Sequence, residues 1–337
     1  MHAAFTETQE MFRAAVRDLL ADRRPPAAVR AAREDGTGRV PGLWEALAEM
    51  GVLGALVPEE LGGLGADEID VVGVLEEAGY AACGEPLAEH AVVALPAVAA
   101  AVTSGDVAEL ADLVTGAVAG RVTLTARVPP AGRFVAHATV ADHLVLDVDG
   151  VLVLVAAEEA APVPEPSLDP GRHLGAVAVD PGAGVALRGA DPSRAAERGV
   201  LAAAAQAVGV ARRLLDDTVA YVSERRQFGK PVGSYQAVKH HLADVRLGIE
   251  FAAPLVYRAA WSVAHRDPEA GRDVSAAKAA ASDAVDLACR MALQCHGAIG
   301  YTAEYDLHLW LERGWTLAAD WGDARWHRRR VAAHLGL

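Results

Sequence analysis

Residues 221–245, YVSERRQFGKPVGSYQAVKHHLADV, decide how the rest of this 337-residue chain is interpreted. The stretch predicts one helix that ends, a tight break over residues 228–234, and a second helix that begins. Gly229 permits a positive φ, Pro231 cannot continue a helix, and Ser234 is a candidate N-cap. The sequence therefore predicts a corner between two helices.

The corner gathers side chains that suit an anionic ligand. Arg225, Arg226 and Gln227 precede the break, and Gln236 follows it. Guanidinium groups form paired hydrogen bonds with phosphate, and the free N–H groups at a helix start attract anions. A phosphate-bearing ligand would suit this corner. Taken alone, the same residues also fit an ordinary solvated turn at the surface.

Composition and charge disfavour several classes of function. Hydrophobic residues make up 52% of the chain, which is enough for a large core in two or three subdomains. The formal net charge of -14 disfavours nucleic acid or an anionic membrane as a general partner. No apolar run is long enough to span a bilayer, and the N-terminus lacks a signal-peptide pattern. Three cysteines without metal-ligand spacing are typical of reduced residues, so we expect a cytoplasmic protein without membrane insertion.

The first part of the chain has a helical period. Apolar residues repeat at intervals of three and four from Phe5 to Leu20, and this pattern ends before Pro25-Pro26. The glycine-rich run at 58–65 lacks the spacing of a nucleotide-binding loop, so we interpret it as a connection between helices. Residues 1–120 are assigned to an N-terminal helical domain. Its further predicted helices are 41–50, 69–80, 86–102 and 107–118.

A change of pattern at about Arg121 predicts a small β domain over residues 121–192. Short β-branched runs separated by Pro, Gly and Asp are typical of strands joined by loops. Asp149-Gly150 is a strong signal for a two-residue hairpin. We expect a small antiparallel sheet or barrel. The predicted strands are 122–128, 134–139, 143–148, 151–155, 176–179 and 185–187.

The helical period returns at about Ser193 and continues to the end. Short connections between long helices indicate a four-helix bundle over residues 193–337. Pro254 falls inside the second of these helices and predicts a kink. The expected fold is therefore mainly α with a small β domain. The four predicted helices are 195–225, 234–263, 274–297 and 320–334.

Three stretches of this sequence resemble the acyl-CoA dehydrogenase family. They are LWEALAEMGVLGALVPEELGGLG at 43–65, ERRQFGKPVGSYQAVKHHLADV at 224–245 and LQCHGAIGYTAEYDLHLW at 293–310. The resemblance covers almost the whole chain. It implies a helical N-domain, a reduced β domain and a C-terminal four-helix bundle. It also implies FAD as cofactor, an acyl-CoA thioester as substrate, and an electron-transfer flavoprotein or similar protein as electron acceptor.

The resemblance further implies which residues bind the cofactor. The family's Arg-x-x-Phe-Gly corresponds to residues 225–229, and its following Gln to Gln236. In the family these residues reach across a subunit interface to the adenosine diphosphate portion of a neighbour's FAD. The family's Gln-x-x-Gly-Gly-x-Gly-Tyr corresponds to residues 294–301, with Ala298 in place of the second glycine. The implied cofactor-binding residues are Arg225, Gln227, Phe228, Gln236, Gln294, His296, Gly297 and Ala298.

Two departures from the family pattern concern the flavin ring and the catalytic base. The Thr-Glu-Pro…Gly-Ser-Asp loop and the Trp-Ile-Ser/Thr strand, which hold the ring in the family, are not found. The glutamate base of many members falls on Trp321 when counted without gaps, and an indole cannot accept a proton. In other members the glutamate precedes an arginine. That pair corresponds here to Tyr257-Arg258, and a tyrosine is far too weak a base near neutral pH.

Two aspartates and several histidines are the remaining polar candidates. Asp320 and Asp323 flank Trp321 and could act as a displaced base, although capping of the last helix is the favoured role. The histidines form no HExxH motif and have no cysteine companions, so no metal site is predicted. The histidines weighed in this way are His240, His241, His296, His308 and His327.

Together, the matches and departures favour a subunit that lacks its own base. The pattern resembles the base-lacking subunit of heteromeric α2β2 acyl-CoA dehydrogenases of actinobacterial type, which act on CoA thioesters of steroid side chains. A homologous, glutamate-bearing subunit would complete such an enzyme and share its FAD. Two alternatives stay open. One is a homo-oligomeric dehydrogenase with Asp320 or Asp323 as base, and the other is a flavin-free acyl-CoA-binding or scaffold protein.

Overall fold

A computed structural model of the chain describes residues 5–34, 36, 38–178 and 184–337. The N-terminal part is helical, as predicted. Thr6 caps the first helix in a capping box with Gln9, and the helix ends just before the predicted break. The second helix begins at Pro26, where proline suits a first helical turn, and the sequence pattern did not predict it. The helices are α1 (Glu7–Arg23), α2 (Pro26–Glu34), α3 (Leu43–Glu49), α4 (Glu68–Tyr80), a π-helical segment (Ala88–Ala94) continuing into α5 (Leu95–Thr103), and α6 (Ala111–Val118).

Among its described residues, the β portion has seven short strands and a one-turn helix. The predicted hairpin at Asp149-Gly150 is confirmed, with φ values of 52° and 83° that a type I′ turn requires. The expectation of antiparallel pairing is wrong for β1 and β3, which pair in parallel, because a β-branched run predicts a strand but not its partner's direction. Val179, the end of one predicted strand, lies outside the described residues. The elements are β1 (Leu124–Arg127), β2 (Phe134–Val135), β3 (His143–Val148), β4 (Val151–Ala156), α7 (Ala157–Ala160), β5 (Val163–Pro164), β6 (Gly175–Ala176) and β7 (Val185–Ala186).

The strands form two small sheets. One has the order β1-β3-β4-β7 and the other the order β2-β6-β5. The buried faces of β1, β3 and β4 contribute Leu124, Val145 and Leu154 to a hydrophobic core that also includes residues of the N-terminal helices and of the C-terminal helices. The β portion is therefore packed onto the helices through a shared core.

The C-terminal part contains five helices and a small hairpin. The sequence predicted one last helix at 320–334, but the observed last helix begins only at Ala324, after a turn in which Trp321 and Gly322 have positive φ values of 52° and 92°. The helix before that turn, Leu307–Ala319, was not predicted. Pro254 lies within the second long helix, and the kink stays a prediction. The elements are α8 (Pro192–Glu224), β8 (Arg226–Gln227), β9 (Lys230–Pro231), α9 (Gln236–Ala264), α10 (Ala270–His296), α11 (Leu307–Ala319) and α12 (Ala324–His334).

Helix α8 organises the packing, since it contacts α4, α9, α10 and α11. Two glycines allow the backbones of α4 and α8 to touch. A Cβ added at Gly79 would lie 2.0 Å from the carbonyl oxygen of Gln206, and one added at Gly209 would lie 1.9 Å from that of Glu76. Any larger residue at either position would force the two helices apart. In the part of the chain that the structure describes, no helix combines the length and apolarity needed to cross a membrane.

Candidate functional site

The predicted break between the first two long C-terminal helices is a β-hairpin. Phe228 and Gly229 connect β8 to β9 with φ values of 51° and 80°, as a type I′ turn requires. This turn leaves the Phe228 side chain 92% exposed. Ser234 does not cap α9, because its hydroxyl donates instead to the carbonyl of Pro231 at 2.7 Å. The N-cap prediction is therefore wrong, and α9 begins at Gln236 without a side-chain cap.

The hairpin and the end of α10 line one groove of about 610 Å³. This volume lies in the range typical of small-molecule sites. Two stretches that are far apart in the sequence thus meet around one space, as a shared ligand would require. The lining residues are Tyr221, Arg225, Gln227, Val232, Gln294, Cys295, His296, Gly297, Ala298 and Ile299.

Most of the predicted cofactor-binding residues lie in this groove, but two do not. Phe228 and Gln236 are both exposed and lie outside its lining. The amide nitrogen of Gln236 lies 3.3 Å from Nε2 of His240, one turn further along α9. Arg225, Gln227 and Gln294 are exposed within the groove. Their donors are therefore available to a ligand that enters from outside.

His296 forms a rigid wall of the groove. Its ring stacks on Tyr221 with centroids 4.3 Å apart, and its Nδ1 lies 2.8 Å from the carbonyl oxygen of Ala292. A carbonyl only accepts, so Nδ1 carries the proton. Burial lowers the pKa of His296, and the ring is therefore neutral at pH 7. Of the residues that line the groove, Arg225 is then the one whose side chain carries a full positive charge.

The backbone beside His296 leaves room for a ligand. Gly297 follows α10 with a φ of 66°, and a Cβ added there would meet nothing within 4 Å. Ala298 has no positive φ, so alanine is accommodated at this position without backbone strain. One arginine, two amides and open backbone suit a diphosphate with its attached sugars. The groove therefore fits the phosphate portion of FAD.

The position implied for the catalytic base is filled. Trp321 lies in the turn between α11 and α12 and is 2% exposed. Its indole packs against α8 so closely that a Cβ added at Gly199 would lie 2.3 Å from Cη2 of the ring. The space that remains beside it is about 10 Å³, no more than a single water needs. A flavin ring or an acyl chain requires hundreds of Å³, so neither fits this pocket.

Ion pairs occupy the rest of this closed pocket. Arg172 pairs with Asp320 at 2.6 Å, and Arg39 pairs with the buried Glu85 at 2.7 Å. Glu89 is buried with His137 Nε2 at 3.8 Å, and burial raises the pKa of Glu89. Apart from Asp320, sequence reasoning missed these residues because they come from separate segments. The one signal was Glu89, a charged residue within a largely apolar run at 87–98.

The two aspartates beside Trp321 make structural contacts. Asp320 accepts hydrogen bonds from Arg172 at 2.6 Å and from the Trp321 N–H at 3.1 Å. Asp323 caps α12, since its carboxylate accepts from the N–H of Trp326 at 2.7 Å. The capping expected of these residues is thus seen at Asp323. Both carboxylates fix the turn that carries the indole.

Two buried side chains, Lys278 and His327, donate hydrogen bonds to backbone carbonyls at the same turn. Lys278 donates to the carbonyls of Ala318 and Gly322 at 3.2 and 3.0 Å. The Nε2 atom of His327 lies 2.8 Å from the carbonyl of Trp321 and donates to it. Within the described ranges, His, Cys, Asp and Glu side chains form no cluster suited to a metal ion. The hydrogen bond from His327 to the Trp321 carbonyl gives this histidine a structural role in the turn.

Tyr257, the second position implied for the base, contacts a different part of α8 from Trp321. Its hydroxyl accepts from Arg212 at 3.2 Å, and burial raises its pKa further. Arg212 is about 20 Å along α8 from Gly199, the residue that Trp321 contacts, at 1.5 Å per residue. Two alternative positions of one base must reach the same substrate carbon. Trp321 and Tyr257 therefore cannot both mark the position of one base, and the residue that α8 presents to Trp321 is a glycine.

Comparison with known proteins decides the family. The chain matches the model of the acyl-CoA dehydrogenase N-terminal domain at residues 6–104 and that of the C-terminal domain at residues 191–335. The acyl-CoA dehydrogenase IpdE2 of Mycolicibacterium smegmatis is 33% identical over 331 residues, which cover 98% of this chain and 99% of the relative. The chain belongs to the acyl-CoA dehydrogenase family. FAD is the cofactor of acyl-CoA dehydrogenases.

Two solved structures share the fold of this chain, and one of them is named as a steroid ACAD. A variant of the Tcur3481-Tcur3483 steroid ACAD has a TM-score of 0.86 and 25% identity, with 98% of each chain covered. The ChsE4-ChsE5 complex of Mycobacterium tuberculosis shares the fold, with a TM-score of 0.83, 24% identity, and 100% and 99% of the two chains covered. The resemblance and the fold class predicted from the sequence are thereby confirmed.

Proposed function

We propose that this chain is the subunit without a base in a heteromeric FAD-dependent acyl-CoA dehydrogenase. In this proposal the chain contributes phosphate-binding side chains to a flavin whose ring is seated mainly in a homologous, glutamate-bearing subunit. The substrate is an acyl-CoA thioester, with a steroid side-chain ester as the favoured class. The electron acceptor is an electron-transfer flavoprotein or a similar protein. FAD bound between the subunits supplies the hydride acceptor for α,β-dehydrogenation.

The observation that carries the proposal is the contrast between the two sites. The hairpin groove is open and about 610 Å³ in volume, whereas the pocket at Trp321 is closed around about 10 Å³. One polypeptide that bound a whole flavin for its own chemistry would need both spaces. The chain therefore has room for the phosphates and no room for the ring beside its own base position.

The shape of the hairpin supports donation to a neighbour. Phe228 is 92% exposed at the tip of a two-residue turn, and Arg225 and Gln227 are exposed beside it. Exposed side chains of this kind can contact a cofactor held by a second molecule. The solved relative at 25% identity is named as a steroid ACAD of two components, Tcur3481 and Tcur3483, which supports both the partner and the substrate class.

Proton removal must then come from the partner. The α-proton needs an ionised oxygen within hydrogen-bond reach, and an indole provides none. Asp320 is paired with Arg172, and Asp323 is used as a helix cap. The residues of this chain around Trp321 hold the turn and exclude water. A glutamate of the partner subunit would be the base.

Flavin content tests the proposal. The chain is purified alone and after co-expression with a glutamate-bearing acyl-CoA dehydrogenase subunit. We expect no flavin absorbance and no dehydrogenase activity for the chain alone, and one flavin for each pair of unlike chains in an active complex. A yellow, active homo-oligomer would overturn the proposal and favour a displaced base, which Asp323→Asn should then inactivate. A flavin-free complex stabilised by CoA esters would indicate a scaffold.

Arg225→Ala should weaken FAD binding in the assembled enzyme by about 10- to 100-fold, because a charge-assisted contact with phosphate is lost. Flavin retention is measured by equilibrium dialysis, and the melting temperature checks that the fold is intact. Arg226→Ala is the matched control, since Arg226 is exposed in β8 but does not line the groove. Equal losses for both variants, or no loss for Arg225→Ala, would show that the phosphate site lies elsewhere.

A further inference from the structure

A second groove, of about 430 Å³, lies between α5 and the start of α8. It shares no lining residue with the hairpin groove or with the pocket at Trp321. Its volume is also in the range of small-molecule sites. One wall is apolar and the other carries three arginines. The apolar wall consists of Leu56, Pro58, Pro96, Ala97 and Ala100, and the arginines are Arg194, Arg198 and Arg266.

The arginine wall has more positive charge than its neighbours neutralise. Glu68 is fully buried and accepts from Arg194 at 2.9 Å and from Arg198 at 2.7 Å, so one carboxylate serves two guanidinium groups. Asp191, which also lines the groove, caps α8 by accepting from the N–H of Ser193 at 2.9 Å. Arg266 is exposed and forms no ion pair within the described part of the chain. An excess of positive charge therefore faces the groove of a chain whose net charge is -14.

Two of these arginines are held in place before any ligand binds. Arg198 uses Nε for its hydrogen bond to Glu68, which leaves its two terminal nitrogens for a ligand. Arg194 is anchored both to Glu68 and to the carbonyl of Val263, at 3.1 Å. A guanidinium fixed in this way loses little further freedom on binding. Its planar fork matches the two oxygens of a carboxylate.

We propose that this groove binds an amphipathic carboxylate. The hydrocarbon part lies on the apolar wall, where its burial stabilises the complex, and the carboxylate contacts the arginine wall. An apolar wall facing fixed guanidinium groups selects for a ligand that has both parts. The proposal does not depend on the shared flavin, because the groove is complete within this chain.

Calorimetric titration of the full-length chain tests the site with three probes. Decanoate carries both parts of the ligand, decan-1-ol lacks the charge, and inorganic phosphate lacks the chain. We expect decanoate to bind at one site per chain and about tenfold more tightly than either of the others. Equal binding of decanoate and decan-1-ol would overturn the proposal, because the arginines would then contribute nothing.

Three variants locate the binding. Arg266→Gln should weaken decanoate binding by about fivefold or more and leave decan-1-ol unchanged. Arg290→Gln makes the same change at an exposed position of α10 and should have no effect. Ala100→Trp should abolish binding, because Ala100 is an exposed wall residue whose replacement fills the groove without touching the Glu68 pairs. Decanoate binding that survives Ala100→Trp, or equal losses in the two glutamine variants, would overturn the assignment.

Discussion

Replacement of Trp321 by alanine should lower the free energy of unfolding by about 3–5 kcal/mol, as expected for a large aromatic side chain in a core that cannot collapse. The indole is 2% exposed, and the backbone of its turn is held by Lys278 at Gly322 and by His327 at Trp321. The turn therefore cannot move in to fill the cavity. Urea unfolding followed by circular dichroism measures the loss. The control is Trp326→Ala, which removes an indole that is 40% exposed and should cost clearly less.

A double-mutant cycle with Gly199 tests the contact itself. A Cβ added at Gly199 would lie 2.3 Å from Cη2 of Trp321. Gly199→Ala alone should therefore destabilise the fold by about 1–3 kcal/mol through overpacking. In the Trp321→Ala background the same methyl group enters the vacated space and should cost less. Additive losses would show that the indole does not rest on this part of α8.

The local features of the fold were predicted where a residue's own backbone preference decides the structure. Asp149-Gly150 adopts the two positive φ values of a type I′ turn whatever surrounds it. Pro25-Pro26 ends α1 because proline cannot continue a helix. The parallel pairing of β1 with β3 was not predictable in this way, since it depends on the path of the chain between the two strands. The residue pattern within one strand does not specify which strand pairs with it or in which direction.

The start of the last predicted helix shows the same limit, because α12 begins at Ala324 and not at residue 320. α11 and α12 are separated by a turn at residues 320–323, whose form depends on contacts with Lys278 in α10 and Arg172 in the β portion. Asp323 is a residue type that favours a helix N-cap, but Trp321, two residues before it, is not a residue type that predicts a turn. Only the folded chain brings Lys278 and Arg172 to this point. The helix boundary was therefore misplaced.

The candidate site was partly accessible from the sequence. Arg225 and Gln294 were identified through motif resemblance, and the structure brings both to one groove. The orientation of Phe228 depends on a positive φ that is uncommon outside glycine, so the helical pattern around it did not predict an exposed tip. The closed pocket at Trp321 could not be foreseen, because its charged lining comes from distant segments such as those of Glu89 and Arg172.

Acidification should destabilise the chain through His90, by about 1.4 kcal/mol for each pH unit between pH 6.5 and about 3. His90 is fully buried, and its Nδ1 accepts the N–H of Leu124 at 2.9 Å. Burial lowers the pKa of His90 from 6.5 to about 3. The unfolded chain therefore takes up a proton in a range where the folded chain does not. Above this range both states are neutral at His90, and the residue contributes no pH dependence.

His90→Asn separates this contribution from the other buried groups. The asparagine oxygen can accept the same N–H but does not titrate. Comparison with the unmodified chain is needed because burial raises the pKa of Glu76 and Glu85, which stabilises the folded state as the pH falls. The free energy of unfolding of the unmodified chain minus that of His90→Asn should fall by about 1.4 kcal/mol per unit between about pH 6 and pH 4, measured by urea unfolding. A constant difference for His90→Asn would mean that this imidazole is protonated as readily in the folded chain as in the unfolded one.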